Sequence, residues 1–423
     1  MEMLYQRKGR IRRRSSSAAL ILGILPIFLP QCTPDDSQDT SEASTERDAP
    51  ERRPTEVRHP IEGALLSNST DAPVHDLELS DLESETPTGL AAITEFPEEA
   101  AVGFVGMLED DTAQVLGEII DAIMLPSEHP AELALLDKSY GMVRTFAPDG
   151  TPQATFGGIG EGPGELRSPV ALGYADGAFL ILDAALKIER YGWTGAEWEP
   201  AGRLQLPMDA QDLCPLDEGL AVVGMRIGED GRLGSSQDPR AVHILSGPGQ
   251  EVSTSFSAPY SYDGILALWY MMRGKLTCDS GRGVVWVAYE ALGEVHALDV
   301  DGSLLWIARL TDMAVPQMVE MEGRSIGGDR KPGEPVEIIT HISLLDESLL
   351  AVQVWSVSIE LNETGRPGER TSSYRTYFID AHSGLGVGGF RGDHQVIGGG
   401  NGQAILYRED PFPQFAVVAI GGG

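Results

Sequence analysis

The sequence predicts an all-β protein, a six-bladed β-propeller with four-stranded blades whose ring is closed by strands from both termini. A pair of apolar runs joined by a polar turn recurs six times from residue 133 onward, with starts 41 to 65 residues apart. Recurrence on this scale is typical of propellers and solenoids. The runs are continuously apolar, which indicates strands covered on both faces. Their short length and bounding glycines argue against helical repeats.

The first 31 residues predict a signal peptide of the lipoprotein type. Six basic side chains precede the apolar run Ala18–Leu29. This run is too short to span a bilayer, which takes about 20 residues, but it suits the core of a signal peptide. Cys32 follows, and it resembles the lipidated cysteine of a bacterial lipoprotein, although Gln31 before it is larger than usual. The alternative is an ordinary secretory signal followed by an incidental cysteine.

Residues 32–88 predict a disordered acidic tether. From residue 33 to residue 88 there is no Phe, Tyr or Trp, and 15 acidic side chains stand against four arginines. Such a segment cannot bury enough apolar surface to fold. As a flexible chain it would hold its ends about 40 Å apart. The predicted domains are therefore the signal 1–31, the tether 32–88 and the propeller 89–423.

The clearest copies of the repeat lie near the start of the propeller. Residues 133–150 and 179–195 each contain an apolar run that ends in an aspartate, Asp137 or Asp183, before a second strand with a basic residue. An aromatic residue and a glycine turn complete each copy. A third copy covers 284–302, and weaker copies start near Leu220, Leu349 and Ala404.

The segment 155–169, TFGGIGEGPGELRSP, is glycine-rich without matching a phosphate-binding loop. Pro163 stands where the last glycine of G-x-G-x-x-G would fall, and Glu161 and Glu165 would repel phosphate. Lying between V-R-x-F-x-x-D-G and L-x-D-x-x-x-x-I-x-x-Y, it resembles the corresponding segment of six-bladed propellers of the NHL-repeat type, many of which are exported bacterial proteins. The resemblance implies that the run connects one blade to the next, with its glycines at positive φ.

Ring closure is expected to use both termini. The last hairpin reaches Gly421–Gly423 and leaves no sequence for a fourth strand. Residues 90–108 precede the first inner strand, and we expect them to supply the outer strand of the sixth blade by pairing near Phe415–Ile420. Closure of this kind protects the edges of the sheets.

Two cysteines beyond the signal, Cys214 and Cys278, lie at matching positions, each six residues before an apolar strand. They could pair in an oxidising compartment. The favoured interpretation is that they are two small buried apolar side chains.

The charge and motifs exclude several functions. A formal net charge of −33 repels nucleic acid, so no nucleic-acid partner is expected. The chain is expected to be a monomer that meets a membrane only through its lipid anchor. Lactonases and an amidating lyase of related shape hold metals on inner strands. Here the weak metal candidates are His129, His341 and His394, which should be spread along the channel rather than convergent. No catalytic residue and no cofactor is predicted.

Long insertions predict the binding face. The runs 225–240, 261–274, 311–336 and 356–375 all fall in loops between second and third strands or between blades, which open on one face. Insertions concentrated on one face mark a binding side. The candidate ligand-binding residues are Arg226, Tyr262, Trp269, Tyr270 and Arg273. The alternative is that Leu268–Met272 forms an extra strand or plug packed in the core.

These features together predict an exported, membrane-anchored binding module of the cell envelope. Its ligand would be a protein, a peptide or a glycan held by the face that carries the insertions. The alternative is a metal-dependent hydrolase or lyase with its site in the central channel. Fold alone does not decide between them, because propellers carry both kinds of function.

Overall fold

The computed structural model describes residues 56–58, 72–103, 116–126, 129, 131–147, 150–183, 186–228, 240–246, 251–256, 272–315, 318–320, 327–328, 335–361, 367–410 and 412–421. All of them belong to one compact unit, Arg52–Gly423. The elements before the first blade are β1 (Glu56–Arg58), β2 (Val74–Leu77), helix α1 (Leu79–Glu85), a 3-10 turn (Thr88–Leu90), helix α2 (Ala91–Thr94) and β3 (Val102–Gly103).

The strands that follow form six antiparallel sheets arranged as blades. Blade 1 contains β4 (Ile119–Met124), β5 (Leu133–Asp137), β6 (Met142–Phe146) and β7 (Pro152–Gly157). Blade 2 contains β8 (Pro169–Ala175), β9 (Ala178–Asp183), β10 (Lys187–Trp193) and β11 (Trp198–Gln205). Blade 3 contains β12 (Met208–Leu216), β13 (Gly219–Arg226), β14 (Val242–Ser246) and β15 (Glu251–Phe256).

The second half of the ring repeats this plan. Blade 4 contains β16 (Gly274–Asp279), β17 (Val284–Tyr289), β18 (Glu294–Asp299) and β19 (Leu304–Leu310). A separate three-stranded sheet follows, in which β20 (Met318–Glu320) pairs with both β1 and β21 (Gly327–Gly328). Blade 5 contains β22 (Val336–Asp346), β23 (Leu349–Leu361), β24 (Pro367–Asp380) and β25 (Gly386–Gly392). Blade 6 contains β26 (Gln395–Gly400), β27 (Gln403–Arg408) and β28 (Gln414–Ala419), with β3 as its outer strand.

Both termini close the ring, as the sequence predicts. In blade 6, Val102 pairs with Phe415 and Gly103 pairs with Gln414 in an antiparallel register. The outer strand of the last blade therefore comes from the N-terminal side of the chain. Six four-stranded blades closed in this way confirm the predicted fold class.

The apolar core lies between neighbouring blades. The second strands β5 and β9 are buried at every position, as their continuously apolar sequences predict. Between blades 4 and 5, the fully buried Trp286 and Trp306 both donate their indole N–H to the carbonyl oxygen of Ala381, at 3.2 and 3.3 Å. Buried indoles need such an acceptor, so this shared carbonyl joins the two blades.

The aspartate that ends each clear repeat fastens the chain as it enters the blade. Asp137 accepts the backbone N–H of Gly117 at 2.9 Å and pairs with Arg144 at 3.1 Å. Asp183 accepts the backbone N–H groups of Arg167 and Ser168 at 3.1 and 2.6 Å. A buried carboxylate needs these partners, which explains why the motif recurs at the end of β5 and β9.

The glycine-rich segment connects β7 to β8, as the resemblance implies. Gly157 has φ +95° and Gly164 has φ +75°, a region that favours glycine. A Cβ at Gly164 would also meet the ring of Pro200. Gly160 and Gly162 lack a positive φ, so for them the prediction was wrong. Their place is set instead by the side chain of Glu165, whose carboxylate accepts the N–H of Gly162 at 2.8 Å.

The predicted tether extends too far. Residues 72–88 are folded onto the ring, since β2 pairs in parallel with β19 as a fifth strand of blade 4 and α1 packs on β25. Leu79 is fully buried and Leu82 is 6% exposed. The segment 77–82 buries three leucines although the predicted tether as a whole is acidic. The local spacing of these leucines, and not the average composition of the tether, decides that this segment folds. Residues 32–55 and 59–71 lie outside the described residues.

The two cysteines form a disulfide, which corrects the favoured interpretation. Cys214 on β12 and Cys278 on β16 are bonded, with Cα atoms 6.1 Å apart. The two cysteines occupy equivalent positions in the repeat. Equivalent positions on neighbouring inner strands face each other across the blade boundary, so the two sulfur atoms lie together. The bond joins blade 3 to blade 4.

Candidate functional site

The insertions open on one face, as the strand order requires. The loop after β13 joins second and third strands, and the loops after β15 and β19 join one blade to the next. Among the predicted ligand-binding residues, Tyr262, Trp269 and Tyr270 lie outside the described residues, as does most of the plug Leu268–Met272. Arg226 lies at the end of β13 and is half-buried.

Arg273 lies on this face, but it is already engaged. Its Nε donates to Glu290 at 2.9 Å, and its side chain is 27% exposed. The carbonyl of Arg273 also accepts the N–H of Glu290 at 3.0 Å. This arrangement gives Arg273 a structural partner within blade 4, and it reduces the donor capacity left for a ligand.

The fourth insertion is a strand extension rather than a loop. The register of β23 against β24 runs from Leu349 opposite Asp380 to Leu361 opposite Pro367. The inner strand β22 pairs with β23 only as far as Val357, and the outer strand β25 pairs with β24 only as far as Tyr374. Beyond these points the hairpin continues as a two-stranded ribbon that rises from the face bearing the insertions.

One side of the hairpin carries two aromatic side chains at the base of the ribbon and a basic side chain on the ribbon itself. Trp355 lies directly opposite Tyr374, and the guanidinium carbon of Arg370 lies 5.4 Å from the centre of the Trp355 ring. Both rings are half-buried, whereas Arg370 is exposed. Burial raises the pKa of Tyr374 above its usual value, so its hydroxyl stays a hydrogen-bond donor. We call these three residues the hairpin patch.

An acidic group borders the hairpin patch. Burial raises the pKa of Glu409, the charge of Glu118 raises it further, and the charge of Arg370 lowers it. Glu118 in turn pairs with Lys138 at 3.3 Å. The face therefore offers aromatic surface and an exposed guanidinium within acidic surroundings.

A second candidate site lies in the central channel, where a cavity of about 630 Å³ is lined by the inner strands. Its wall extends to the exposed residues Pro126 and Asn401, which follow the inner strands β4 and β26. These are the turns between first and second strands, so the cavity opens on the face opposite the insertions. Its polar side chains include Asp121, Asp212 and Lys275.

Two aspartates in the cavity wall are held by backbone amides. Asp121 accepts the N–H of Ala122 at 2.8 Å and that of Leu172, in the next blade, at 2.7 Å. Asp212 accepts the N–H of Leu213 and that of Leu276, again in the next blade, both at 2.8 Å. Each aspartate follows a β-bulge in its inner strand, which turns the side chain toward the neighbouring blade.

Burial and mutual repulsion govern the charge of this pair. Burial raises the pKa of Asp121 to about 8, and the charge of Asp212 raises it further. Burial also raises the pKa of Asp212, while Lys275 opposes that shift. Burial and a second acidic group in one cavity both disfavour ionisation of a carboxyl group, so Asp121 is largely protonated near neutral pH.

His341 crosses the channel from blade 5 to blade 1. Its Nε2 donates to the carbonyl of Ile120 at 2.9 Å, so in the neutral ring Nδ1 carries a lone pair. This Nδ1 is buried and has no hydrogen-bond partner within the described part of the chain. Burial, followed by the charge of Lys275, lowers the pKa of His341 to about 3, which keeps the ring neutral.

The other two histidine candidates lie elsewhere. His129 stacks on Trp198 with ring centres 5.6 Å apart and bonds the backbone of Ala131. His394 is 1% exposed, and its Nε2 donates to the carbonyl of Ile93 at 2.8 Å. Over the residues that the structure describes, no three His, Cys, Asp or Glu side chains are grouped to hold a metal ion.

Sequence reasoning missed the functional groups of both sites. Trp355 directly precedes, and Tyr374 lies within, an insertion that we expected to be a loop. The alternation of apolar and polar residues along 355–359 is the signal that could have extended the strand. Asp121 and Asp212 are the third and fifth residues of their inner strands β4 and β12. An aspartate inside an otherwise apolar inner strand is the signal that could have marked them.

The fold defines this chain as a six-bladed β-propeller. No protein-family model and no curated protein matches its sequence. Several solved structures are similar to it in shape. A member of the DUF4221 family from Bacteroides vulgatus shares 9% identity at a TM-score of 0.49, over 72% of this chain and 94% of that one.

Two further structures are similar to a comparable extent. An inferred exported protein of Bacteroides fragilis shares 10% identity at a TM-score of 0.49, over 82% of this chain and 99% of its own. BamB from Moraxella catarrhalis shares 11% identity at a TM-score of 0.33, over 72% of this chain and 92% of its own. The resemblance to NHL-repeat propellers stays a prediction.

Proposed function

We propose that this propeller is an exported binding module that holds a protein or peptide partner on the face bearing the insertions. The observation that carries the proposal is the hairpin patch, in which Arg370 on the ribbon lies over Trp355, which stands opposite Tyr374 at the base of the ribbon. Tyrosine, tryptophan and arginine are the side chains that dominate protein interfaces. The acidic surroundings favour a neutral or basic partner.

Two features support export. The first 31 residues have the order of a signal peptide, with basic residues before a short apolar run. The disulfide between Cys214 and Cys278 belongs to oxidising compartments. Among the described residues no helix is both long and apolar enough to cross a bilayer.

We propose lipid attachment at Cys32, which lies outside the described residues. Changing Cys32 to serine should move the protein out of the membrane fraction, and unchanged fractionation would contradict the attachment.

The hairpin patch can be tested against a matched tryptophan. Trp355→Ala should reduce capture of an envelope partner by about 30-fold, which corresponds to about 2 kcal/mol at an interface anchor. Trp193→Ala is the control, because Trp193 is 49% exposed and ends a third strand on the opposite face. Thermal melts of both variants must stay near the wild-type value. Equal loss of capture in the two variants would refute the proposed face.

The channel alternative, a metal-dependent hydrolase or lyase, receives no support from the described histidines. His129, His341 and His394 each bond a different backbone carbonyl. Because each histidine has its own backbone partner, we assign all three a structural role. The groups that do meet in the channel suit a different role.

A further inference from the structure

We propose that the channel cavity binds a small zwitterion with an apolar side chain, an amino acid or a dipeptide. Its ammonium group would lie against Asp121 and Asp212 and its carboxylate against Lys275. This site is separate from the hairpin patch, since the cavity opens on the face opposite the insertions. The proposal therefore does not depend on the proposed function.

The first argument is the set of acidic and basic groups in the wall that have no ion-pair partner. Lys275 lines the cavity and acts electrostatically on both aspartates. Yet it forms no ion pair within 4 Å in the part of the chain that the structure describes. Asp121 and Asp212 bond only backbone N–H groups there. Acidic and basic groups held in one cavity without mutual contact are complementary to a ligand that carries both an ammonium group and a carboxylate.

The second argument is His341. Its buried Nδ1 lacks a donor, although buried polar atoms are satisfied in the great majority of cases. The Nε2–H is committed to Ile120, so Nδ1 can only accept. A ligand ammonium has three N–H groups, enough for both aspartates and this nitrogen. The orphaned acceptor therefore indicates a missing donor rather than a missing anion.

The third argument is size and lining. A cavity of about 630 Å³ falls within the usual range of about 300–1,000 Å³ for small-molecule pockets. The wall mixes polar and apolar side chains, and Ile123, Met124, Leu213 and Leu344 are among its apolar residues. These residues offer contact area to an aliphatic or aromatic side chain of the ligand.

The test uses titration calorimetry of the wild-type protein with L-leucine, L-phenylalanine and L-leucyl-L-leucine at pH 7. We expect at least one probe to bind, and the dipeptide blocked by acetyl and amide groups to fail. Because the ammonium group ionises Asp121, binding should release protons, and the heat should differ between phosphate and Tris buffers. Absence of binding by all three probes at about 10 mM would overturn the proposal, as would equal binding of the blocked dipeptide.

Variants locate the site. Lys275→Met and Asp121→Asn should each weaken binding at least about tenfold, as expected for a lost charge-assisted hydrogen bond. The matched controls Lys138→Met and Asp301→Asn change the same residue types on the surface, away from the channel, and should bind as wild type. Unchanged binding in both cavity variants would overturn the proposal. If a cavity variant fails to fold, the comparison of free and blocked dipeptide on the wild type still decides the outcome.

Discussion

Cys214 and Cys278 join the inner strands of blades 3 and 4 through a disulfide that closes a loop 64 residues in sequence separation. Both residues line the channel cavity. The bond therefore fixes the wall of the cavity as well as the spacing of two blades.

Removal of this disulfide should destabilise the ring. Changing both cysteines to serine should lower the free energy of unfolding by about 2–4 kcal/mol, because the unfolded chain regains the freedom that the bond removes. Denaturant unfolding measures the loss. Wild type in a reducing agent is the control and should unfold like the variant. Equal stability of the oxidised wild type and the double variant would contradict a structural role for the bond.

The segment before the ring should contribute to folding. Leu79 is fully buried against blade 5, so Leu79→Ala should cost about 2–5 kcal/mol, as for other buried leucines. Val74 lies in the adjoining strand β2 but is 43% exposed, and Val74→Ala is the matched control with little expected effect. Chemical denaturation measures both changes. If Leu79→Ala leaves the free energy of unfolding unchanged, residues 72–88 behave as the tether that the composition suggests.

Gly398, where blade 6 meets blade 1, should not be replaceable by a residue with a side chain. A Cβ at Gly398 would clash with the backbone carbonyl of Ala122, which cannot move without shifting β4. Gly398→Ala should therefore cost about 1–3 kcal/mol, the usual penalty for overpacking. At Gly192 the added Cβ would stand 3.4 Å from Ala201, an ordinary contact, so Gly192→Ala is the control. Similar melting temperatures for both variants would contradict the close approach.

The cavity aspartates should make stability depend on pH. Because the folded pKa of Asp121 lies near 8, above the value of about 3.9 in the unfolded chain, the folded state holds an extra proton between these pH values. Its stabilising effect is complete below about pH 4 and is lost as pH rises toward 8. Of the groups that face Asp121 across the cavity, Asp212 raises its pKa further and Lys275 lowers it, whereas His341 stays neutral throughout this range.

Asp121→Asn isolates this effect. The variant loses one acceptor for a backbone N–H, and this cost does not depend on pH. Because the variant has no carboxyl group to titrate, its melting temperature should fall less between pH 4 and 8 than that of the wild type. Asp301→Asn, in an exposed turn, should keep the wild-type slope. An unchanged slope in Asp121→Asn would show that the carboxyl is ionised throughout this range.

The sequence predicts the ring but not the sites. Continuously apolar strands such as β5 and β9 identify the blades, because a strand covered on both faces is apolar at every position. The number of hairpins along the sequence then gives the number of blades. The place of Leu79 depends on a long-range contact with Gly389, which no local pattern contains. Likewise, the hydrogen bond from His341 to Ile120 joins residues 221 positions apart, and such a contact has no local sequence signal.

Photo-crosslinking in the native cell envelope tests the central claim most directly. A photoreactive residue at Ser372, which is exposed and on the same side of the hairpin as Trp355, should give a discrete protein adduct. The same probe at Glu199, on the outer strand of blade 2, should not. The adduct should disappear in the Trp355→Ala background while the protein stays folded. Absence of an adduct at Ser372, or equal adducts from both positions, would contradict binding through the hairpin patch.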